Sequence, residues 1–376
     1  MKVPAQELNA LRTQLAAAQS EAYRAQVSRE AAETQLDLLL QTKTFRYTRR
    51  LRRAWAQLRR WRSDTSGMDG RSETAGYSPT VVGDEVEDGE RHKPIRVHFP
   101  VGHYYSPFPD TNELGTDSTR RRIWPGRPRA TPAIDWRDDD QLALCLGVFA
   151  NQDRLRFASK ATADDHEYFT ENQQYSALDA WILEGWLRHF RPARLIEVGS
   201  GFSSLVAARV NREFLGRSMH FTCIEPYPRA FLVDGVDGIS ALRVEFVQET
   251  PLREFEKLDD GDVLFVDTSH TVKTGGDVPW IFQEILPRLR PGVSVHIHDA
   301  FIPGEYPEQW VLDGWGWNEI YLLHAFLAFN SAFRVAFGAQ WMLLEHPGEM
   351  ISAFPGLGSD DHRARSGASL WMRRAP

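Results

Sequence analysis

The chain has 376 residues, of which 42% are hydrophobic and 25% are charged, the proportions of a soluble globular protein with one large domain and extensions. Its two cysteines, Cys145 and Cys223, exclude a disulfide framework and a cysteine-based zinc site and fit a reducing cytosol. The net charge of −7 divides into +8 over residues 1–62 and −15 over the remainder, so the acidic body is a poor candidate for nucleic-acid binding and we expect no nucleic-acid partner. Without an apolar signal core or an apolar run long enough to span a bilayer, we expect a cytoplasmic protein.

Residues 1–62 begin with a pattern typical of a coiled coil. From Leu8 to Leu39, seam residues recur at alternating spacings of three and four, and only Arg29 interrupts the apolar series. This seam predicts a short coiled coil that makes the protein a homo-oligomer. A single amphipathic helix lying on the body is the alternative, because the many alanines of the seam bury little area.

The second part of this arm, Lys43–Arg62, has nine basic residues and no acidic one. On a helix its large apolar side chains share one face, and arginines cover the others. Such a basic amphipathic helix is typical of a segment that lies on an anionic membrane surface, which would place the protein at the inner face of the membrane. Three alternatives stay open: a helix that packs against a partner protein, one that binds nucleic acid through its phosphates, and a charged helix that faces solvent. The apolar face is formed by Tyr47, Leu51, Trp55, Leu58 and Trp61.

Residues 63–174 lead from the arm to the main domain. Residues 63–94 are rich in Ser, Gly, Asp and Glu and poor in apolar residues, which predicts a disordered acidic linker. Residues 95–174 contain aromatic and proline-rich loops and a helical pattern over 138–154. We interpret residues 95–174 as an N-terminal cap or lid of the domain that follows.

Residues 175–376 alternate helices with short, almost wholly apolar strands. Such strands, separated by helices, predict a parallel sheet that is covered on both faces. Right-handed crossovers make the sheet doubly wound, so we expect an α/β fold with a mostly parallel, seven-stranded sheet. The predicted helices are 176–190, 203–214, 277–289 and 317–329, and the predicted strands are 194–198, 220–224, 244–247, 263–266, 293–298, 333–337 and 369–372.

The first predicted strand leads straight into a glycine-containing turn and a helix. Gly199 and Gly201 let the backbone turn sharply and approach a ligand closely, and the helix that follows offers free N–H groups. Ser204 stands where a dinucleotide-binding turn has its third glycine, and Glu197 precedes the first glycine by two residues. Both details favour an amino-acid-bearing nucleoside over a pyrophosphate.

Glu225 stands at the tip of the second predicted strand, about 25 residues after the glycine turn. This is the place and the spacing expected of a carboxylate that accepts hydrogen bonds from both hydroxyls of a ribose. Gln248 and Glu249, just after the third predicted strand, are candidates to reach the edge of the adenine.

Four ionisable residues follow the fourth and fifth predicted strands. Because the carboxyl ends of parallel strands meet at one edge of a sheet, we expect these side chains to converge. Carboxylates and imidazoles gathered in this way bind a divalent metal or act as a general base, whereas a single histidine there is more often a structural hydrogen-bonder. The four residues are Asp267, His270, His298 and Asp299.

The ordered motifs RLIEVGSGFSS, CIEPYP, DVLFVDTSH, GGDVPW and PGVSVHIHD, the last followed by FIPGEYP, resemble one known family. They are similar to bacterial class I S-adenosylmethionine-dependent methyltransferases of the group that includes macrocin-type O-methyltransferases. GHYYSPFPD and ASLWMRR resemble members of the same group, so the similarity covers residues 97–373. The N-terminal arm resembles, more weakly, helices that precede some bacterial polysaccharide-assembly transferases.

The resemblance implies a Rossmann-like fold and S-adenosylmethionine as cofactor. It implies that the glycine turn holds the methionine part of that cofactor and that Glu225 holds the ribose. With these we assign further residues of the turn and of the neighbouring strand ends to the cofactor site. The full predicted set is Glu197, Gly199, Ser200, Gly201, Ser203, Glu225, Gln248 and Asp267.

Metal-dependent relatives bind magnesium through acids at the tips of the fourth and fifth strands, and Asp267 and Asp299 match those positions. The residue before Asp299 is His298, where such relatives have an acid. A hard ion such as Mg²⁺ prefers oxygen ligands, so magnesium as a second cofactor stays open.

The predicted reaction is in-line transfer of the sulfonium methyl group to an oxygen nucleophile, for which the protein aligns the acceptor and removes its proton. His270 or His298 would be the base, with Asp267 beside them, because an imidazole titrates near neutrality. The preferred acceptor is a sugar hydroxyl of a cell-surface polysaccharide, followed by a secondary metabolite. The candidates to line the acceptor pocket are His103, Tyr104 and Tyr105, which would otherwise pack the cap onto the sheet.

Two other functions compete with this one. A nucleotide-cofactor oxidoreductase would need a phosphate-binding glycine pattern, and Ser204 departs from it. A catalytically inactive, methyltransferase-like adaptor would act through the coiled coil, but the intact glycine turn and both acidic strand tips argue against it.

Overall fold

The computed structural model describes residues 98–125, 130–152, 154–358 and 367–376. The predicted coiled coil, basic helix and acidic linker, residues 1–94, lie outside these ranges. The chain divides into two compact units, residues 1–106 and residues 107–376. In the described ranges, no helix combines the length and the apolar character needed to cross a membrane.

Within the first unit, residues 98–106 form a small aromatic group. The ring of His103 stacks on Phe99 at a centroid distance of 4.7 Å, and Tyr105 is tilted against the same Phe99 ring at 5.0 Å. Tyr104 is 91% exposed and Tyr105 is 67% exposed. The assignment of His103, Tyr104 and Tyr105 to an acceptor pocket therefore stays a prediction.

The second unit is built on one seven-stranded sheet. Its strands are β1 (Arg194–Val198), β2 (His220–Ile224), β3 (Ala241–Arg243), β4 (Val263–Val266), β5 (Ser294–Ile297), β6 (Phe333–Gly338) and β7 (Leu370–Arg374). They lie in the order β3-β2-β1-β4-β5-β7-β6, with β7 antiparallel to both β5 and β6 and the other pairs parallel. The chain moves outward from β1 to β3 and then returns to β4, which places the topological switch point between β1 and β4. This confirms the prediction of a doubly wound, mostly parallel sheet.

Twelve α-helices fall within the described residues of this unit. They are α1 (Thr111–Leu114), α2 (Asp117–Ile123), α3 (Asp138–Gly147), α4 (Ala177–Phe190), α5 (Phe202–Glu213), α6 (Ala230–Asp234), α7 (Leu252–Phe255), α8 (Asp277–Trp280), α9 (Glu308–Leu312), α10 (Glu319–Leu327), α11 (Ala339–Glu345) and α12 (Pro347–Ala353). Short 3-10 turns occupy Phe149–Asn151, Val247–Glu249, Leu286–Arg288 and Pro355–Gly358. The predicted helices at residues 176, 203 and 317 begin within two residues of α4, α5 and α10.

One face of the sheet is covered by α4 and α5. Ser176 starts α4, because its hydroxyl accepts a hydrogen bond from the N–H of Asp179 at 3.1 Å. Trp186 of α4 stacks on Trp371 of β7 at a centroid distance of 4.2 Å, and both rings are fully buried. Burial of each such side chain stabilises the fold by about 1.5–3 kcal/mol or more. Residues of the predicted cap belong to the same core layer, namely Cys145, Phe149, Leu155 and Tyr168.

The other face of the sheet packs on α8, on the π turn Ile281–Ile285 that continues it, and on α10. Because successive strand residues point to opposite faces, Phe265 lies in the first core layer while Leu264 and Val266 lie in the second. With both faces covered, the groups that bind ligands lie at the edges of the sheet, above all at the carboxyl ends of the strands.

The third strand was predicted at 244–247, but β3 is Ala241–Arg243. Val244 and Phe246 are 40% and 46% exposed, and Val247 opens a 3-10 turn. The prediction is wrong because a short edge strand buries only one side and need not be the most apolar part of its segment.

The helix predicted over 277–289 forms as three short pieces. α8 ends at Trp280, the π turn follows, and a 3-10 turn covers Leu286–Arg288. Pro287 has no N–H to donate, and its ring clashes with the carbonyl group four residues earlier, so a regular helix cannot continue through it.

Candidate cofactor and acceptor site

The turn between β1 and α5 depends on Gly199. Its φ angle is +84°, and a Cβ atom there would lie 1.6 Å from the carbonyl oxygen of Asp267. Its N–H donates to the carbonyl oxygen of Ile224 at 3.0 Å. The tips of β1, β2 and β4 therefore lie against one another at this glycine, and no side chain fits there.

Glu197 is a buried carboxylate that holds this turn from beneath. It is 1% exposed and accepts a hydrogen bond from Ser203 Oγ at 2.6 Å and another from the hydroxyl of Ser204. Burial raises the pKa of Glu197 to about 7, against the two serine hydrogen bonds, which lower it. Neither Glu197 nor Ser203 lines the cleft above the turn, so both are placed as positioning residues of the turn.

A cleft of about 520 Å³ opens at the carboxyl ends of β1, β2 and β4. A Cβ atom at Gly201 would meet no protein atom within 4 Å, so the space beside the turn is open. Four residues of the predicted cofactor set line the cleft, namely Gly199, Glu225, Gln248 and Asp267. Sequence analysis did not identify four further lining residues, Tyr227, Phe246, Lys273 and Asp277.

The carboxylate of Glu225 is fixed by two backbone groups. The N–H of Ser200 donates to Glu225 Oε2 at 3.2 Å, and the N–H of Tyr227 donates to Glu225 Oε1 at 2.8 Å. Burial raises the pKa of Glu225, against these two hydrogen bonds, which lower it. Ser200 thus contributes through its backbone, and the first strand tip and the second strand tip are linked across one side of the cleft.

Two aromatic rings and an amide form another wall of the cleft. Tyr227 is 53% exposed and Phe246 is 46% exposed, and their rings meet edge to face at 5.8 Å. The side chain of Gln248 donates to the carbonyl oxygen of Gly275 at 2.9 Å, while its buried Oε1 has no hydrogen-bond partner among the described residues. Flat apolar surfaces beside a free acceptor suit a planar heteroaromatic base. Phe246 was not recognised as a cleft residue because the predicted third strand, 244–247, placed it in the sheet.

The four ionisable residues after β4 and β5 meet in one cluster. Nε2 of His270 lies 3.2 Å from Asp267 Oδ1 and 3.5 Å from Asp299 Oδ2. Nδ1 of His298 lies 3.5 Å and 3.6 Å from the same two oxygens. His270 and Asp299 have φ angles of +53° and +50°, a conformation that is costly for residues other than glycine. Strained backbone of this kind is typical of functional sites.

Two further carboxylates complete the cluster. Oε2 of Glu319, at the start of α10, lies 2.9 Å from Nδ1 of His270. Oδ2 of Asp179, in the first turn of α4, lies 3.6 Å from Nε2 of His298. Sequence analysis did not identify either residue, because each is brought to the cluster by helix packing and neither stands in a local motif.

Burial alone would lower the pKa of both histidines, but the carboxylates around them reverse the direction. Asp267 and Glu319 raise the pKa of His270 to about 10, and Asp267, Asp299 and Asp179 raise the pKa of His298 well above its usual value. Burial alone would raise the pKa of Asp267, yet His298 and His270 hold it well below its usual range. The carboxylates therefore favour the protonated form of both imidazoles, and either must lose a proton before it can act as a base.

Asp267, His298 and Asp299 each offer one potential metal-ligand atom, and these atoms lie within 4.8 Å of one another. The set fits Mg²⁺ poorly, because His298 supplies nitrogen where this ion prefers oxygen. We therefore derive no step of a reaction through a metal ion.

An aromatic surface adjoins this cluster, formed by what we call the tryptophan cluster, Trp310, Trp315 and Trp317. Trp315 lies 4.7 Å from each of the other two rings and is 44% exposed. The ring of Trp317 lies 4.2 Å from that of His270. The tryptophan cluster thus contacts the ionisable cluster through His270. The signal in the sequence was three tryptophans within eight residues, which sequence analysis passed over.

Comparison with known proteins identifies a family for part of the chain. Residues 196–300 match the family described as "Methyltransferase domain". An uncharacterized protein of Archaeoglobus fulgidus is 32% identical over 171 residues, a match that covers 43% of this chain and 74% of the relative.

Solved structures of methyltransferases share weaker similarity with the chain. The O-methyltransferase TomG from Streptomyces achromogenes, in complex with SAM, is 17% identical with a TM-score of 0.34, covering 54% of this chain and 81% of its own. The SAH-bound methyltransferase PaMTH1 from Podospora anserina is 16% identical with a TM-score of 0.34, covering 55% and 81%. The O-methyltransferase from Bacillus cereus, in complex with SAH, is 12% identical with a TM-score of 0.33, covering 69% and 96%. Similarity at this level is too low to assign an activity.

Proposed function

We propose that this chain, which belongs to the family of the Archaeoglobus fulgidus relative and carries a methyltransferase domain, is an S-adenosylmethionine-dependent O-methyltransferase. One observation carries the proposal. The Gly199 turn and the carboxylate of Glu225 line a single open cleft, which also reaches Asp267 at the end of β4. A nucleoside that bears an amino acid needs these features side by side.

The residues of the cleft suit the parts of this cofactor. Glu225 would accept hydrogen bonds from the ribose hydroxyls, because backbone N–H groups already hold its two oxygens in place. Tyr227 and Phe246 would pack on the adenine, and the free Oε1 of Gln248 would accept from its amino group. The methionine part would lie over the glycine turn, where backbone can approach it closely.

When bound, the cofactor supplies a sulfonium methyl group that is activated for attack by an oxygen nucleophile. The chain must then align the acceptor hydroxyl and take its proton. We assign the proton to Nε2 of His270, because Nδ1 of this ring is held by Glu319 and Nε2 faces the carboxylates of Asp267 and Asp299. Glu319 is then a positioning residue, and His298, enclosed between Asp179 and the two aspartates, holds the carboxylates in place.

The proton held by His270 in the free protein must leave before this step. A positive charge bound beside Asp267 would weaken the ion pair of Asp267 with His270 and so lower the pKa of His270 from about 10 toward neutrality. Cofactor binding would in this way prepare the base.

The acceptor we favour is a sugar hydroxyl of a surface glycan, ahead of a secondary metabolite. The tryptophan cluster offers ring faces to the apolar side of a sugar, and Asp299, which lies 3.5 Å from Nε2 of the same His270 that Trp317 contacts, would accept from hydroxyl groups. The partially exposed ring of Trp315 is the contact that the proposal needs most.

The cofactor assignment is tested by calorimetric titration of the full chain with S-adenosylhomocysteine. We expect Glu225→Gln to weaken binding by about 10- to 100-fold, since a hydrogen bond to a charged group contributes about 1.5–3 kcal/mol. Glu256→Gln, an exposed position that does not line the cleft, is the control and should bind like the wild type. A wild type that does not bind S-adenosylhomocysteine would overturn the proposal.

The same titration separates the two competing functions. An oxidoreductase would bind a nicotinamide cofactor in place of S-adenosylhomocysteine. An inactive adaptor would bind S-adenosylhomocysteine but transfer no labelled methyl group to any glycan, lipid or metabolite extract. Binding together with methyl transfer supports the proposal over both.

The acceptor class is tested with the glycan that accepts the labelled methyl group. Trp315→Ala should raise the KM for that glycan and leave the affinity for S-adenosylhomocysteine unchanged. Phe329→Ala, which removes a ring that is 91% exposed outside the tryptophan cluster, should change neither. An unchanged KM in Trp315→Ala would exclude the tryptophan cluster as the acceptor surface.

A further inference from the structure

A second cavity, of about 680 Å³, lies at the amino edge of the sheet, away from the cofactor cleft. Residues that precede β4 and β5 and residues at the end of the antiparallel β7 line it together. Backbone hydrogen bonds join these three segments, because Gly261 N–H donates to Gly292 O and Gly292 N–H donates to Arg374 O. The two cavities share no lining residue. A ligand in this cavity therefore lies outside the cofactor cleft.

Four arginines line this cavity, which we call the arginine pocket, although the chain after residue 62 carries a net charge of −15. Arg373 is paired with Asp260 at 3.0 Å, and Arg137 is paired with Asp140. The other two, Arg334 and Arg374, have no carboxylate partner among the described residues.

Arg334 and Arg374 leave guanidinium donors available. Arg334 is exposed at the start of β6. Nη1 of Arg374 donates to the carbonyl oxygen of Ala332 at 2.9 Å, and its Nε is buried without a hydrogen-bond partner in the part of the chain that the structure describes. A buried donor without a partner is costly, and an anion in the pocket would satisfy it.

Apart from Asp140 and Asp260, the remaining lining of the pocket is largely apolar and includes the half-buried side chains of Leu144 and Phe190. We infer that the arginine pocket binds the phosphate group of a small organic phosphate, with its organic part against this wall. Two guanidinium groups without carboxylate partners match the charge of a phosphate monoester, and the planar fork of arginine donates to two phosphate oxygens at once. A purely inorganic anion would leave this apolar wall without a contact.

The inference is tested by calorimetric titration of the full chain with phenyl phosphate and with inorganic phosphate. We expect phenyl phosphate to bind the wild type at least tenfold more tightly than inorganic phosphate does. Arg334→Gln should weaken phenyl phosphate binding at least tenfold, and Arg374→Lys, which keeps the charge but loses the fork, should weaken it as well. In both variants the affinity for S-adenosylhomocysteine should stay that of the wild type, which also shows that they fold.

Arg290→Gln is the matched control, because Arg290 is an exposed arginine paired with Asp259 that does not line the pocket. It should bind phenyl phosphate within twofold of the wild type, and the basic segment 43–62 is the same in every variant. Equal weakening in Arg290→Gln and Arg334→Gln would show a general charge effect and overturn the inference. Wild-type binding of phenyl phosphate no tighter than that of Arg334→Gln would also overturn it, as would equal affinity for the two phosphates.

Discussion

Gly199 and Gly201 belong to one short turn but meet different requirements. At Gly199 the backbone is left-handed and the carbonyl of Asp267 occupies the place of a side chain, whereas a Cβ atom at Gly201 would meet no protein atom within 4 Å. The first glycine is therefore required by the fold, whereas the reason predicted for the second, a contact with the cofactor, stays a prediction because Gly201 does not line the cleft. The sequence motif alone does not separate these two reasons.

Gly199→Ala is expected to destabilise the protein by more than about 3 kcal/mol, because a Cβ atom would overlap the Asp267 carbonyl and the strand tips would have to separate. Gly216→Ala is the matched control. Gly216 also has a positive φ, of +60°, but a Cβ atom there would meet no atom within 4 Å. Gly216→Ala should therefore lower the free energy of unfolding only by the cost of the positive φ angle, about 1 kcal/mol. Urea unfolding of both variants measures the difference. Equal losses would mean that the contact with Asp267 is not limiting.

Glu197 gives the folded protein a pH dependence that can be measured. Its pKa is raised by burial from 4.5 to about 7, a difference worth about 3 kcal/mol. The folded state therefore favours the protonated carboxyl. This stabilisation is complete below pH 4.5 and is lost as the pH rises to about 7.

Glu197→Gln cannot ionise and should remove this loss while keeping a partner for Ser203 and Ser204. Between pH 4.5 and pH 8, we expect the free energy of unfolding of the wild type to fall by up to about 3 kcal/mol relative to the variant. Denaturant unfolding at a series of pH values gives this difference. Glu254→Gln is the control, because Lys257 lowers the pKa of Glu254 and confines its effect to acid pH. Parallel pH curves for wild type and Glu197→Gln would contradict the assignment.

At the scale of elements, α4 ties the carboxyl end of β5 to the start of β7. Asp179 in its first turn accepts hydrogen bonds from the N–H groups of Ala368 and Ser369, at 3.2 Å and 3.0 Å, and its carboxylate also faces His298. The antiparallel strand is thus held at the same point as the ionisable cluster. Changes in α4 should reach the cluster through this carboxylate.

Asp179→Ala should lower the free energy of unfolding by about 3–5 kcal/mol. The reason is that it leaves the buried His298 ring and the N–H groups of Ala368 and Ser369 without their partner. Asp237→Ala removes a carboxylate that is 57% exposed and paired with Arg217, and it should destabilise the protein much less, because solvent screens an exposed ion pair. Thermal unfolding of the two variants compares a buried with an exposed ion pair. If Asp179→Ala lowers the free energy of unfolding by less than about 1 kcal/mol, the contacts of this carboxylate contribute little to stability.

The elements that the sequence predicted best are those with a local cause. β1, β2 and β4 begin and end at the predicted residues because each is a short apolar run between polar residues. β3 was misplaced because a short edge strand leaves little local signal, and the misplacement concealed Phe246 of the cleft. Glu319 and the tryptophan cluster were missed because only the packing of α10 and of the segment after β5 brings them to His270.

At the scale of the whole molecule, the sheet separates two kinds of chemistry. Its carboxyl edge gathers the cofactor cleft, the ionisable cluster and the tryptophan cluster, and its amino edge carries the arginine pocket. Because both faces of the sheet are covered, ligands reach the domain at these two edges. An oligomer formed through the N-terminal arm would hold several such domains together, which raises the local concentration of sites for a polymeric acceptor.

Light scattering of the full chain tests whether the seam from Leu8 to Leu39 forms that oligomer. The expected mass is a multiple of the chain mass, since the seam residues of a coiled coil bury their apolar side chains between chains. Leu15→Glu combined with Leu36→Glu places charges in the seam and should give the mass of a single chain. Gln14→Glu combined with Gln35→Glu adds the same charge one residue away, outside the seam, and should leave the oligomer intact. A wild type of single-chain mass would favour the alternative, an arm that is one amphipathic helix lying on its own body.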